Sequence, residues 1–168
     1  MNLLLLVTAV FVPMLFEASL SRRNERELRA MGAAEPHDDV FWIMQLAYPA
    51  AFLAMLVEGW IRGPIVDVHV AAGFSIFVGA KLLKYWAMLS LGVRWTFRVL
   101  VPPGSTRTLL GPYRLLRHPN YVAVIGELVG AALVAHAPVV GVIATIGFGV
   151  LLLLRIRVEE RALGLRSS

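Results

Sequence analysis

The chain contains no cysteine. Disulfide scaffolds, thiolate nucleophiles and cysteine-ligated metal sites are excluded at once. Charge is scarce as well: 16% of the 168 residues are charged, where a soluble domain has about a quarter. Lysine is almost missing, with Lys81 and Lys84 set against fourteen arginines. What fills the chain is apolar, since 58% of its residues are hydrophobic. A small water-soluble globule leaves much of its surface wet and cannot hide so much. An ordinary soluble fold is excluded, and a single membrane-embedded domain over residues 1–168 is expected.

Long apolar runs divide the chain. A helix needs about 20 residues to cross the hydrocarbon core. Residues 2–16 are Leu-rich with Pro13 inside, and with no basic residue before them and no small-residue cleavage site after, they are expected to be a retained span. Residues 41–61 and 65–91 give two further spans around a tight Gly63-Pro64 connection. A polar segment, 92–120, holds Pro102-Pro103-Gly104. Two shorter apolar helices follow, 121–135 and 139–154, joined at His136-Ala137-Pro138. The expected fold is all-α, about five transmembrane helices ending in a helical hairpin. Gly126 and Gly130 form a small-xxx-small pair expected to let that hairpin close tightly.

The net charge of +5 could signal nucleic acid, but its arginines lie beside the apolar runs. Those at 22, 23, 26, 29, 94, 98, 107, 114, 117, 155, 157, 161 and 166 fall on one side of the five-span arrangement, and Arg62 on the other. Positive residues mark the cytoplasmic face. A multi-pass protein with its N-terminus outside and C-terminus in the cytoplasm is expected, with no nucleic-acid partner and no obligate protein partner. Ionisable groups inside spans are functional hypotheses by default. Lys81, Lys84 and Glu127 are such groups. The lysines lie near the cytoplasmic end of span three, where snorkelling to the interface is the plainer reading; pairing of Lys84 with Glu127 is the alternative. His69 and His136 read as interfacial, and Glu58 and Asp67 as flanks of the outer turn.

Two constellations could carry chemistry. The first is Gly111-Pro112-Tyr113-Arg114-Leu115-Leu116-Arg117-His118-Pro119-Asn120-Tyr121. Pro119 suits a first helical turn, and the free N–H groups of that turn favour an anion. The tyrosines offer flat faces for stacking or a cation, and Arg117 a forked donor. An interfacial belt of arginine and tyrosine would look alike. The second is Arg155-Ile156-Arg157-Val158-Glu159-Glu160-Arg161-Ala162-Leu163. If span five continues as a helix, Arg155 and Glu159 share a face; a salt-bridged juxtamembrane helix is the plainer alternative.

Together, Gly111, Tyr113, Arg117, His118, Pro119 and Tyr121, then a hairpin, then Arg155, Glu159, Glu160 and Leu163, resemble the isoprenylcysteine carboxyl methyltransferase family. The likeness covers residues 84–163. Glu17, Ser21-Arg22-Arg23-Asn24, Glu35, Lys84-Tyr85-Trp86 and Arg94-Trp95-Thr96 look like a bacterial branch of it. Val40-Phe41 stands where that branch has a His-aromatic pair. The resemblance implies an integral-membrane O-methyltransferase using S-adenosyl-L-methionine, with a cytoplasmic cofactor pocket and no metal. It implies that Tyr113, Arg117, His118, Pro119, Asn120, Tyr121 and Glu159 bind the cofactor. Arg155 would face the acceptor, and His118 would serve as base where the acceptor needs one. That acceptor would be lipophilic, either an isoprenylcysteine carboxylate or a phenolic or pyrone lipid. A membrane NADPH-dependent reductase of the sterol-reductase type and a non-enzymatic membrane scaffold are the alternatives.

Overall fold

The computed structural model describes residues 3–37, 39–63 and 68–164. Five helices follow one another: α1 (Leu3–Ala30), α2 (Phe41–Arg62), α3 (Val68–Leu91), α4 (Pro119–Ala135) and α5 (Pro138–Ala162). Two 3-10 turns, Gly92–Arg94 and Gly111–Arg114, punctuate the long α3–α4 segment. Among the described residues there is no β-strand, only a bridge in which Ala34 and Val101 exchange 3.0 Å backbone hydrogen bonds. The chain is all-α, as expected. Helices α2, α3 and α5 are long and apolar enough to cross a bilayer, and α4, with 17 residues, is a shorter apolar helix. Trp42, Leu46, Trp60, Ile143, Ile146 and Leu153 are exposed on the outside. Water would not tolerate so wide an apolar surface, and lipid tails would solvate it. The second half of the Gly63-Pro64 connection, the start of span three at residue 65, Asp67, Asn2 and Arg166 lie outside the described residues.

Helix α1 departs from expectation. It does not stop near Phe16 but runs 28 residues to Ala30. The polar stretch beyond Phe16 is rich in Ala, Leu, Arg and Glu, all good helix formers, and Arg23–Glu27 adds an i,i+4 pair at 3.0 Å. Glu17, Ser21, Asn24 and Leu28 are all buried. Their spacing of four, three and four places them on one face. A polar stripe therefore enters the protein interior.

Helix α4 is the packing centre, set chiefly against α3 and also against α5 and α2. The Gly126–Gly130 pair serves a different partner from the one expected. It faces α3: a Cβ on Gly126 would lie 2.8 Å from Ala80 Cβ, and one on Gly130 2.7 Å from Phe77 N and 2.8 Å from Gly73 O. The α4–α5 approach rests instead on Gly141, whose missing Cβ makes room for Ala132. The hairpin turns at His136, held in the left-handed region at φ 51°, and Pro138 opens α5. Glu58 has more to do than flank a turn. Its carboxylate accepts the Val139 and Val140 N–H groups at 3.2 and 2.7 Å, capping the otherwise unsatisfied first turn of α5.

Because the neighbours of Gly130 are backbone atoms that cannot swing aside, Gly130→Ala should cost about 1–3 kcal/mol by overpacking. It should lower the melting temperature in detergent. Gly147→Ala, with nothing within 4 Å of the added carbon, should not.

Candidate active site

The segment after α3 runs as a strap over the bundle. Asn24 donates through Nδ2 to Trp95 O (2.7 Å) and Gly92 O (3.3 Å). Phe97 N–H donates to Ser21 Oγ at 2.7 Å, and Val99 N–H to Asp39 Oδ2 at 3.0 Å. The polar stripe on α1 thus supplies the backbone partners that a strand would otherwise provide. Arg98 pins the outer edge: it pairs with Glu35 and stacks 4.1 Å from the Phe41 ring centre. Arg29 holds the other Glu35 oxygen. Burial pushes the Glu35 carboxyl up, but hydrogen bonds from Arg98 and Arg29 outweigh it and hold it below the usual carboxylate range.

Under the strap lies Arg155, only 4% exposed. Helix α5 continues past the membrane run, as the second constellation required, and brings Arg155 and Glu159 to one face at 3.6 Å. Arg155 Nε donates to Tyr121 Oη at 3.0 Å and an Nη to Asp39 Oδ1 at 3.0 Å. Its other Nη donates to Phe97 O. Tyr121 in turn donates to Glu159. One guanidinium therefore joins α4, α5, the strap and the loop before α2.

The first constellation gathers at the same place. Pro119 is the first residue of α4, and His118 stacks on Tyr121 with ring centres 5.5 Å apart and planes 10° off parallel. The two His118 ring nitrogens face Glu159 and Glu160 at 3.6 and 3.7 Å. Asn120 accepts from Trp95 Nε1 at 3.3 Å. Tyr113 sits buried in the second 3-10 turn. Burial first, and the Glu159 charge second, raise its phenol above the ordinary range, so it stays neutral. Tyr113, Arg117, His118, Asn120, Tyr121, Arg155 and Glu159 all line one cavity of about 540 Å³. Pro119 is fully buried and is not among the lining residues; it starts the helix that carries the others. Arg117 is exposed at the rim.

A second polar centre occurs deeper. The lysines do not snorkel: Lys84 pairs with Glu127 at 3.2 Å, within a larger group that includes Lys81 and Glu17. Asp39 was not a candidate in the sequence, although its side chain is only 4% exposed and carries two contacts of the strap and Arg155. No local signal marked it, because its partner Arg155 lies 116 positions away and only the burial of that cation calls for an acid.

The cavity wall suits an amphipathic zwitterionic ligand such as S-adenosyl-L-methionine. Thr108 Oγ1 is buried in that wall with no hydrogen-bond partner among the described residues. A buried hydroxyl left unpaired is costly, and a polar ligand atom would satisfy it. Carboxylates at 159 and 160, the Arg117 guanidinium and the His118–Tyr121 stack provide groups for hydroxyls, a carboxylate and a sulfonium.

Fold and site together define an all-helical membrane protein with a cavity beside its terminal hairpin that is lined by both polar and apolar side chains. The description "Isoprenylcysteine carboxyl methyltransferase (ICMT) family" matches residues 71–164, and the chain belongs to that family. Membership implies a membrane methyltransferase. Similar proteins include the uncharacterized protein YpbQ of Bacillus subtilis, 30% identical over 95% of each chain. An uncharacterized protein of Haemophilus influenzae is 24% identical over 88% of this chain and 87% of its own. No solved structure matches.

Two outcomes follow from this geometry. Removing one partner of a buried ion pair costs about 3–5 kcal/mol, so Asp39→Ala should lower stability by that order and loosen residues 95–99 to hydrogen exchange. Glu35 has a depressed carboxyl, so its contribution is fully present above the unfolded value near 4.5 and is lost as pH falls through the folded one. The stability gap between the wild type and Glu35→Gln should therefore shrink on acidification from pH 6, read by chemical denaturation.

Proposed function

We propose that the protein transfers a methyl group from S-adenosyl-L-methionine to an oxygen of a lipophilic acceptor at the cytoplasmic face of a cell membrane. The observation that carries this reading is the meeting of both motif constellations in one cavity, with Tyr113, His118, Tyr121, Arg155 and Glu159 in its wall. The same wall includes Met14, Met44, Val124, Phe148 and Leu152, side chains suited to a lipid. The arginine distribution supports a cytoplasmic site, where a soluble cofactor arrives.

When bound, S-adenosyl-L-methionine supplies an electrophilic methyl on a sulfonium. Tyr113, Arg117, His118, Asn120, Tyr121 and Glu159 would hold it, with Pro119 fixing the helix start beneath. The protein's remaining contribution is alignment, because an in-line displacement gains most from orientation. Arg155 fixes Tyr121 and the strap, and as a cation in the cavity wall it would hold the acceptor as its anion. An ionised carboxylate acceptor needs no base. A phenol or enol must lose a proton, and His118, between Glu159 and Glu160, is the group suited to take it. A lipophilic small molecule and the surrounding lipids are the partners this chemistry requires.

Purified protein should be stabilised against heat by S-adenosylhomocysteine and not by NADPH. Glu159→Gln and Tyr113→Ala should each weaken that stabilisation by about tenfold in ligand concentration, the scale of one lost charged hydrogen bond. Stabilisation by NADPH alone would overturn the methyltransferase reading in favour of a reductase.

A further inference from the structure

The segment between α3 and α4 is polar by composition, yet it exposes a leucine pair on either side of its second 3-10 turn. Leu109, Leu110 and Leu115 are 64%, 63% and 81% exposed, and Leu116 is exposed as well. Between the pairs, Pro112 and Tyr113 are buried against the bundle, whereas Arg114 is exposed. The turn thus puts a proline and a tyrosine inside and leucines around an arginine outside. An apolar patch of this kind on an outer surface marks a place where something other than water is met.

The seat of the turn identifies what that is. On α3, Leu82, Trp86 and Leu89 are exposed at spacings of four and three, hence on one face. Lys81, Lys84 and Met88, on the other side of the helix, are buried. The exposed face is therefore the lipid-facing one of a membrane span. Gly111 sits at the end of this same face: a Cβ there would lie 2.0 Å from Ser90 Oγ and 3.0 Å from Trp86 Nε1. The leucine pairs flank that contact, so they continue the apolar band of α3 instead of forming a separate patch. The backbone here is irregular, and such backbone does not enter hydrocarbon without losing its hydrogen bonds. It must stay among the headgroups while its side chains reach in different directions.

We propose that residues 109–116 form an interfacial shelf, seated in the membrane leaflet beside the cavity, with the four leucines among acyl chains and Arg114 on phospholipid phosphates. The leucines supply the apolar area that carries an amphipathic segment into the headgroup boundary. A guanidinium placed between them is the donor that suits a phosphate. Tyr113 of the same turn lines the cavity, so the shelf sets the depth of the cavity wall relative to the bilayer. This docking is independent of methyl transfer and holds whatever the cavity binds.

The chain has no cysteine, so single-cysteine variants can be spin-labelled with no other change. Leu110→Cys and Leu115→Cys are compared with Leu82→Cys, on the lipid face of α3, and with Pro103→Cys, exposed elsewhere in the same segment. All are placed in nanodiscs of phosphatidylcholine and phosphatidylglycerol, where collision with oxygen reports lipid and collision with a nickel chelate reports water. The labels at 110 and 115 should show an oxygen-to-nickel ratio severalfold above that at 103 and approaching that at 82. A label at Arg114→Cys should read shallower than both. A ratio at 110 and 115 equal to that at 103 would leave the leucines in water and overturn the shelf, and no depth difference between 114 and 115 would remove the arginine from the phosphates. Labels shielded from both reagents, or broadened by a label on a second copy, would put a protein surface over the patch and overturn it as well. Leu115→Trp serves if a labelled variant does not fold: its added fluorescence, above that of the four native tryptophans, should be quenched by brominated phosphatidylcholine. Fluorescence unchanged by that lipid would overturn the shelf.

Discussion

A guanidinium taken out of water must find acceptors for its N–H groups, and Arg155 finds them on separate stretches of chain: Tyr121, Asp39 and Phe97 O, with Glu159 close by. No two of these acceptors belong to the same stretch. Helix α5 supplies the cation, α4 the phenol, the loop before α2 a carboxylate, and the strap a carbonyl. Desolvation of such a charge costs several kcal/mol unless every partner is in place. The arrangement is therefore close to all-or-none. The strap, the start of α4 and the end of α5 must assemble together, and the cavity between them is a consequence.

A membrane makes this economy stricter. Between helices in lipid the hydrophobic effect gives little drive, so close packing and polar contacts must supply it. Gly73, Gly126 and Gly130 let α3 and α4 approach until main-chain atoms limit further closure. Glu58 caps α5 from α2 at the opposite end of the molecule. The four-charge cluster then joins α1, α3 and α4 at mid-height. Apolar side chains, many of them facing outward, set the environment, and a few polar contacts determine which helix goes where.

Much of this was legible in the sequence. The apolar runs foretold the helices, and the uninterrupted pattern after Leu154 foretold that Arg155 and Glu159 would share a face, whereas the burial of Lys81 and Lys84 went against the plainer reading that they snorkel. What escaped notice depended on which neighbour a surface would meet. The Gly126–Gly130 spacing announces a close contact but not its partner, and the partner is α3 rather than α5. Polarity also misled at residues 17–30. A charged segment reads as a loop, yet Glu17, Ser21, Asn24 and Leu28 recur at helical spacing and are buried. A stripe of polar residues carries no hydrophobic periodicity, so only the structure could show which side faces inward. Asp39 was invisible for a similar reason: its importance comes from Arg155, 116 positions away.

That stripe on α1 explains why the motif-bearing half of the chain is not by itself a complete site. From Glu17 to Asn24 the helix rises about 10 Å, matching the roughly 9 Å that separates Glu127 from Tyr121 on α4. Helix α1 thus spans both polar centres. Glu17, at its middle, contributes an acid to the charge cluster, and Ser21, one turn further on, holds the strap that presents Phe97 O to Arg155. Asp39, just before α2, completes the upper centre. Residues 71–164 contain Lys81, Lys84, Arg155, Tyr113 and Tyr121, but the acids that neutralise Arg155 from outside its own helix, and Lys84 from outside α4, come from positions 39 and 17. A protein keeping only the motif half would retain buried cations and lose part of their counter-charge, which a low-dielectric interior does not permit. The two halves are therefore bound by electrostatic neutrality as much as by packing, and the cavity lies where that neutrality is achieved.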